Sequence, residues 1–164
     1  MDPATFEQLL TPAGQKLLAE VGARAGAETD LALGTSLRRD HPPELVAAAV
    51  TQHQLRAKAR GKLGDGAARM YLTPDALEQA TRASVARARA RRLTGSGVVA
   101  VVDLGCGIGG DLVAFAQAGL RVRGVERDPV RAAMARANLQ AMGLEGEVIE
   151  ADLARVAEAH ELGT

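Results

Sequence analysis

The sequence predicts an α/β fold, the first three strands of an open parallel sheet preceded by a small α-helical domain, and three features predict it. The run VVAVVDLGCGIGGDLVAFA at 98–116 reads as a strand, a glycine turn and the start of a helix, with an acid inside the turn. Two further short apolar strands follow, at 120–125 and 147–150, each with an acidic residue at or just beyond its end. Ahead of residue 98 the chain is punctuated by helix-start signals.

The leading segment declares its helices at their first residues. Asp2-Pro3, Thr11-Pro12 and Thr73-Pro74 each place a side-chain acceptor before a proline, whose missing N–H is harmless at the first helical position. Pro42 and Pro43 open another helix with Leu45, Val46, Ala49, Val50 and Leu55 on its apolar face, and Gly61 and Gly64 are expected to break it. Met70, Tyr71 and Leu72 read as a short extended or turn segment. Thr94, Gly95, Ser96 and Gly97 have linker composition, so the expected boundary separates a helical domain, 1–93, from the sheet-forming part, 94–164.

From Val98, five apolar residues, mostly β-branched and too few for a helix, predict a strand covered on both faces and ending at Asp103 or Leu104. Gly105, Gly107, Gly109 and Gly110 then allow a turn that a ligand can approach without meeting a Cβ. Gly105, Gly107 and Gly110 also satisfy the G-x-G-x-x-G spacing of dinucleotide-binding turns, a weak signal alone. Asp103 separates the two classes: its carboxylate, two residues before the first glycine, would repel a pyrophosphate and attract a sulfonium or ammonium. From Asp111 the apolar residues return to helical spacing, so the free N–H groups of the first turn favour an anion. A nucleoside bearing both a cation and a carboxylate fits this pattern, and S-adenosylmethionine is such a molecule.

Asp103, Gly105, Cys106, Gly107 and Gly109 together resemble the first motif of the class I S-adenosylmethionine-dependent methyltransferases. The second strand ends at Glu126, about 20 residues beyond Gly105, where such folds place the carboxylate that grips the ribose hydroxyls. After the third strand, Asp152 matches the family position that accepts a hydrogen bond from the adenine amino group. The resemblance therefore implies a Rossmann-like sheet and a cofactor set of Asp103, Gly105, Cys106, Gly107, Gly109, Gly110, Glu126 and Asp152. Residues 55–81 are also similar to the region preceding the core in bacterial THUMP-like-domain proteins, relatives of trimethylguanosine synthase. That likeness implies RNA or a nucleotide base as acceptor, with residues 71–74 near the methionine end of the cofactor.

The resemblance also implies strand order 3-2-1-4-5-7-6, with the cofactor at the switch between strands one and four. Residues 98–164 suffice for three strand and helix pairs, and the family's acceptor motif, Asn or Asp followed by Pro-Pro and an aromatic, is absent. The expectation is an N-terminal part of the enzyme that holds cofactor but lacks the acceptor half, has no assignable catalytic residue, and leaves an apolar edge at 98–102 for another chain to cover. Two other readings stay open: an NAD-type oxidoreductase domain, with Glu126 on the adenosine ribose, and a cofactor- or RNA-binding module that does not catalyse.

Several of these residues have plainer roles. Asp128 before Pro129 is explained as a helix cap, Asp152 could cap a following helix, and Cys106 reads as a small tolerated residue in the turn. The helix after Asp128, with Val130, Met134, Ala137 and Ala141 on one stripe and Gly143 at its end, is ordinary packing. The three aromatic residues, Phe6, Tyr71 and Phe115, leave the core to aliphatic side chains and provide no base-stacking platform. A single cysteine excludes an internal disulfide, and His41, His53 and His160 have no metal-ligand spacing. Neither a signal peptide nor a membrane span is indicated, so the default location is cytoplasmic. Residues 55–92 carry 10 basic and 3 acidic residues although the whole chain is neutral, a balance that suits RNA phosphates. Arg87, Arg89 and Arg91, however, wrap around a helix and do not share one face.

Overall fold

The pairs of capping residue and proline start helices. In the structure, a computed structural model that describes residues 1–152, Asp2 accepts from the N–H of Thr5 at 3.0 Å and opens α1 (Pro3–Leu10). Thr11 accepts from the N–H of Gly14 at 3.2 Å and opens α2 (Pro12–Arg24). A Cβ at Gly14 would overlap the backbone of Gln8 and Leu9, so glycine lets the two helices meet at a tight corner. Helix α3 (Asp30–Leu37), which the sequence reading did not separate, starts behind Thr29, and α4 (Pro43–Leu63) starts after Pro42. Helix α4 runs through Gly61, which is exposed and meets nothing, and stops at Gly64, whose φ of +75° ends it.

The chain divides into two compact units, Met1–Lys58 and Ala59–Thr164. The first is helical, with Phe6, Leu9, Leu17, Val21, Leu33 and Val46 fully buried. Arg24 ties its later turns together, pairing with Glu20 and Glu28 at 2.9 Å each and donating to Ser36 Oγ at 2.6 Å. Residues 59–93, read in the sequence as part of the helical domain, fall within the second unit, and Thr94 and Gly95 form the last turn of a helix.

In the second unit a 3₁₀ turn (Asp65–Arg69) leads to α5 (Pro74–Gln79), capped by Thr73, and α6 (Ala83–Gly95). Then come β1 (Ala100–Leu104), α7 (Gly110–Gln117), β2 (Arg121–Glu126), α8 (Pro129–Ala141) and β3 (Glu147–Glu150). The three strands are parallel in the order β1-β2-β3, with Asp103 beside Gly124 and Glu126 beside Glu150. Val122 and Val148 share one face and pack with Leu112, Phe115 and Leu139 of α7 and α8, each large side chain contributing on the order of 2 kcal/mol on leaving water. A Cβ on Gly124 would lie 2.6 Å from Leu112 Cδ1 and 2.7 Å from Cys106 Sγ, so the glycine lets α7 and its turn sit directly on β2.

The expected burial of the first strand on both faces is not observed. Strand β1 begins two residues later than Val98, lies at the sheet edge, and leaves Val102 43% and Leu104 54% exposed. The reason is one-sided cover: α7 and α8 both pack on the face that carries Val122 and Gly124. Strand β3 matches its expected bounds, β2 starts at Arg121 instead of Leu120, and Asp128 caps α8 as its place before Pro129 implies. The helix expected after β3 lies outside the described residues, as does His160.

Candidate functional site

The glycine turn is fastened to the end of the neighbouring strand. Gly105 and Cys106 both donate their N–H to the carbonyl of Val125, at 2.8 and 3.0 Å. One residue on, Glu126 turns its buried carboxylate back toward the turn: Oε2 accepts from the N–H of Gly107 and Oε1 from the N–H of Asp128, both at 2.9 Å. Each oxygen can accept once more, so Glu126 orders the turn and keeps capacity for a ligand hydroxyl.

These contacts frame a cavity of about 160 Å³ beyond the carboxyl ends of β1 and β2. Asp103, Gly105, Cys106, Gly107, Gly110 and Glu126 all line it. A Cβ built on Gly105, Gly107 or Gly110 would meet no atom within 4 Å, so the room a side chain would occupy is left to the cavity. Two of the expected residues stand apart. A Cβ on Gly109 would sit 3.2 Å from Ala135 Cβ; this residue packs against α8 and caps α7 with φ +79°, and does not line the cavity. Asp152 is exposed and lines a different depression with Arg127, Asp128 and Glu150.

The cavity's electrostatics favour a cation. Among the described residues, Asp103, Asp111 and Glu126 line it together with a single guanidinium, Arg131. Burial, followed by the charges of Asp111 and Glu126, pushes the Asp103 carboxyl above its usual range, against the pull of Arg89. A positively charged ligand would relieve that strain on Asp103. Burial, then the carboxylates of Asp103 and Glu126, push the Cys106 thiol up to about 12, which disfavours the nucleophilic thiolate.

Sequence reasoning missed the far wall. Ala76, Gln79, Ala80 and Thr81, from α5 and the turn after it, face the glycines across the cavity, just beyond the 71–74 segment that the resemblance pointed to. Lys62 donates to the carbonyls of Leu77 and Glu78 at 2.7 and 2.6 Å and so holds the C-terminal end of α5. Asn138, fully buried on α8, accepts from the N–H of Tyr71 at 2.6 Å and donates to the carbonyls of Tyr71 (3.1 Å) and Ile108 (2.8 Å). That one amide joins the extended segment ahead of α5 to the glycine turn. Asp111, the first acid after the glycines, was the only local signal; the partners of Asn138 lie too far along the chain to be read from spacing. Of the basic helix, Arg89 turns to Asp111 at 3.0 Å, while Arg87, Arg91 and Arg92 are exposed.

The chain resembles methyltransferases in sequence and in fold. Residues 101–162 match the family described as a methyltransferase domain, and residues 2–59 match a domain of unknown function, DUF8688. Over 86 residues the chain is 46% identical to an uncharacterized S-adenosylmethionine-dependent methyltransferase of Mycobacterium tuberculosis, in strains CDC 1551 / Oshkosh and H37Rv alike. That stretch covers 49% of this chain and 23% of the mycobacterial protein, so the chain spans less than a quarter of these relatives. A crystal structure of a provisionally assigned methyltransferase from Porphyromonas gingivalis W83 superposes with a TM-score of 0.60 and 25% identity, covering 83% of this chain and 34% of that one.

Proposed function

We propose, from the methyltransferase domain matched at residues 101–162, that this chain holds S-adenosylmethionine for methyl transfer to RNA or a nucleotide base. The observation that carries the cofactor reading is the convergence of Asp103, Gly105, Gly107, Gly110 and Glu126 on one cavity at the ends of adjacent parallel strands. Such a position beyond the carboxyl ends of strands is where open α/β sheets take their ligands. When bound, the cofactor supplies a methyl group on an electrophilic sulfonium. The chain's own part is to bind and orient: Glu126 offers acceptor capacity to ribose hydroxyls, and Asp103 offers a carboxylate to the cationic amino-acid end. The free N–H groups at the start of α7 complement the methionine carboxylate. Positioning is then the main catalytic contribution, since an in-line methyl transfer needs no covalent help from the protein.

The acceptor class rests on different residues. Arg87 lines a second cavity that shares Thr81 and Gly110 with the first, and Arg82, Arg91 and Arg92 stay exposed near it in sequence. These cations suit a phosphate-bearing acceptor, and the same helical region carries the likeness to the THUMP-like group. Calorimetric titration with S-adenosylhomocysteine and with NAD tests the cofactor reading, which expects heat from the first and none from the second. Preference for NAD would replace it with a dinucleotide-binding one. Titration with a short RNA at several salt concentrations tests the acceptor; an affinity that does not fall with salt, or no affinity, would remove RNA from the proposal.

A further inference from the structure

Asp111 stands in the first turn of α7, where the helix start favours negative charge, yet its hydrogen bonds run away from that helix. Its Oδ2 accepts from Thr81 Oγ at 2.9 Å and from Arg89 Nη1 at 3.0 Å, so one oxygen joins α7 to the turn after α5 and to α6. The side chain is 18% exposed, Arg89 is 55% exposed, and the other carboxylate oxygen, Oδ1, is buried with no hydrogen-bond partner among the described residues. A half-buried carboxylate with one buried oxygen unsatisfied is costly, and its placement here is unexplained by packing alone. Thr81 is the last residue of the wall that faces the glycines, and the wall's other fastenings act farther back, at Tyr71, Leu77 and Glu78. At the wall's cavity end, among the described residues, the Gln79 side chain has the long 3.4 Å contact from Arg131. The bond from Thr81 to Asp111 is therefore the close tie between this end and the glycine turn's helix.

We infer that Asp111 is a positioning residue of the pocket: by receiving Thr81 and Arg89 on one oxygen, it holds the 76–81 wall against the glycine turn and slows the escape of a bound nucleoside. Arg89, which is not itself a lining residue, braces the tie from outside the cavity: its Nη1 donates to Asp111 Oδ2 at 3.0 Å and lies 3.5 Å from Thr81 Oγ1. The inference rests on the cofactor reading above, and S-adenosylhomocysteine is the probe.

The test is the dissociation rate of S-adenosylhomocysteine from the full chain, measured by stopped flow. Thr81→Val and Asp111→Ala are each expected to speed dissociation about fivefold to tenfold, as loss of one charge-assisted hydrogen bond allows. The double variant should be no faster than Asp111→Ala alone, because that substitution already removes the Thr81–Asp111 tie. Thr81→Ser, which keeps the hydroxyl, should restore the parental rate, a rescue that a general loss of stability would not give. Thr81→Val leaves the acid in place and serves alone if Asp111→Ala does not fold. Parental dissociation in Thr81→Val, with binding still lost in Asp103→Ala and Glu126→Ala, would overturn this inference and leave the cofactor pocket standing. A parent chain that binds no S-adenosylhomocysteine would overturn both.

Discussion

Asp103 joins the sequence reading to the chemistry most directly. It was singled out because a carboxylate before a glycine turn suits a cation, and the structure adds its reason for wanting one: burial and two neighbouring acids oppose its ionisation. With its folded value raised, Asp103 contributes stability below the ordinary carboxylate range and loses it as pH rises through the raised value. A ligand ammonium reverses the preference by favouring the charged form. Affinity for S-adenosylhomocysteine is thus expected to tighten as pH rises from acid toward neutral, and Asp103→Asn should bind more weakly with a flatter profile. Calorimetry across that range checks this, and a profile that is unchanged in Asp103→Asn would place the titrating group elsewhere. The other predicted residues divide by what a side chain at each would meet. Gly105, Gly107 and Gly110 look onto open cavity, whereas Gly109 looks onto Ala135. Glycine spacing alone does not carry that distinction, because it depends on where α8 lies.

Among the elements, those with strong local causes were legible and those with distant partners were not. Capping residues before proline located the starts of α1, α2, α5 and α8, and the third strand's bounds followed from its apolar run. Helix α3 escaped because its start, Thr29, lacks the proline that marked the others. The wall role of α5 escaped because it depends on Asn138, 67 residues beyond Tyr71. This buried amide gives the element-scale prediction. Asn138→Ala removes three hydrogen bonds to backbone groups in a dry site and should cost about 2–3 kcal/mol in denaturant unfolding. It should also weaken S-adenosylhomocysteine binding, since both the glycine turn and the lead into the wall lose their shared anchor. A stability change within about 0.5 kcal/mol, the range of an ordinary surface substitution, would mean that the clamp is replaceable.

For the whole molecule, the parallel order β1-β2-β3 and the helical segment ahead of it were readable, because β-branched runs alternating with helix starts admit few other architectures. One-sided cover of the sheet was not, since an apolar run looks the same in a central strand and at an edge. Val102 and Leu104 on β1, and Val99 just ahead of it, remain exposed, and β1 has a neighbour on one side only among the described residues. An uncovered apolar edge recruits another chain, so the protein is expected to self-associate with rising concentration and Val102→Lys to suppress this. Sedimentation velocity checks it, and a parent that stays monomeric throughout would show that the edge is protected. The proposed cofactor pocket rests on two acids at adjacent strand ends with the glycine turn between them. The most direct measurement is calorimetric binding of S-adenosylhomocysteine to the parent chain, Asp103→Ala and Glu126→Ala. The parent is expected to bind, and both variants to lose binding while remaining folded by circular dichroism. Equal binding by all three, or none by a folded parent, would contradict it.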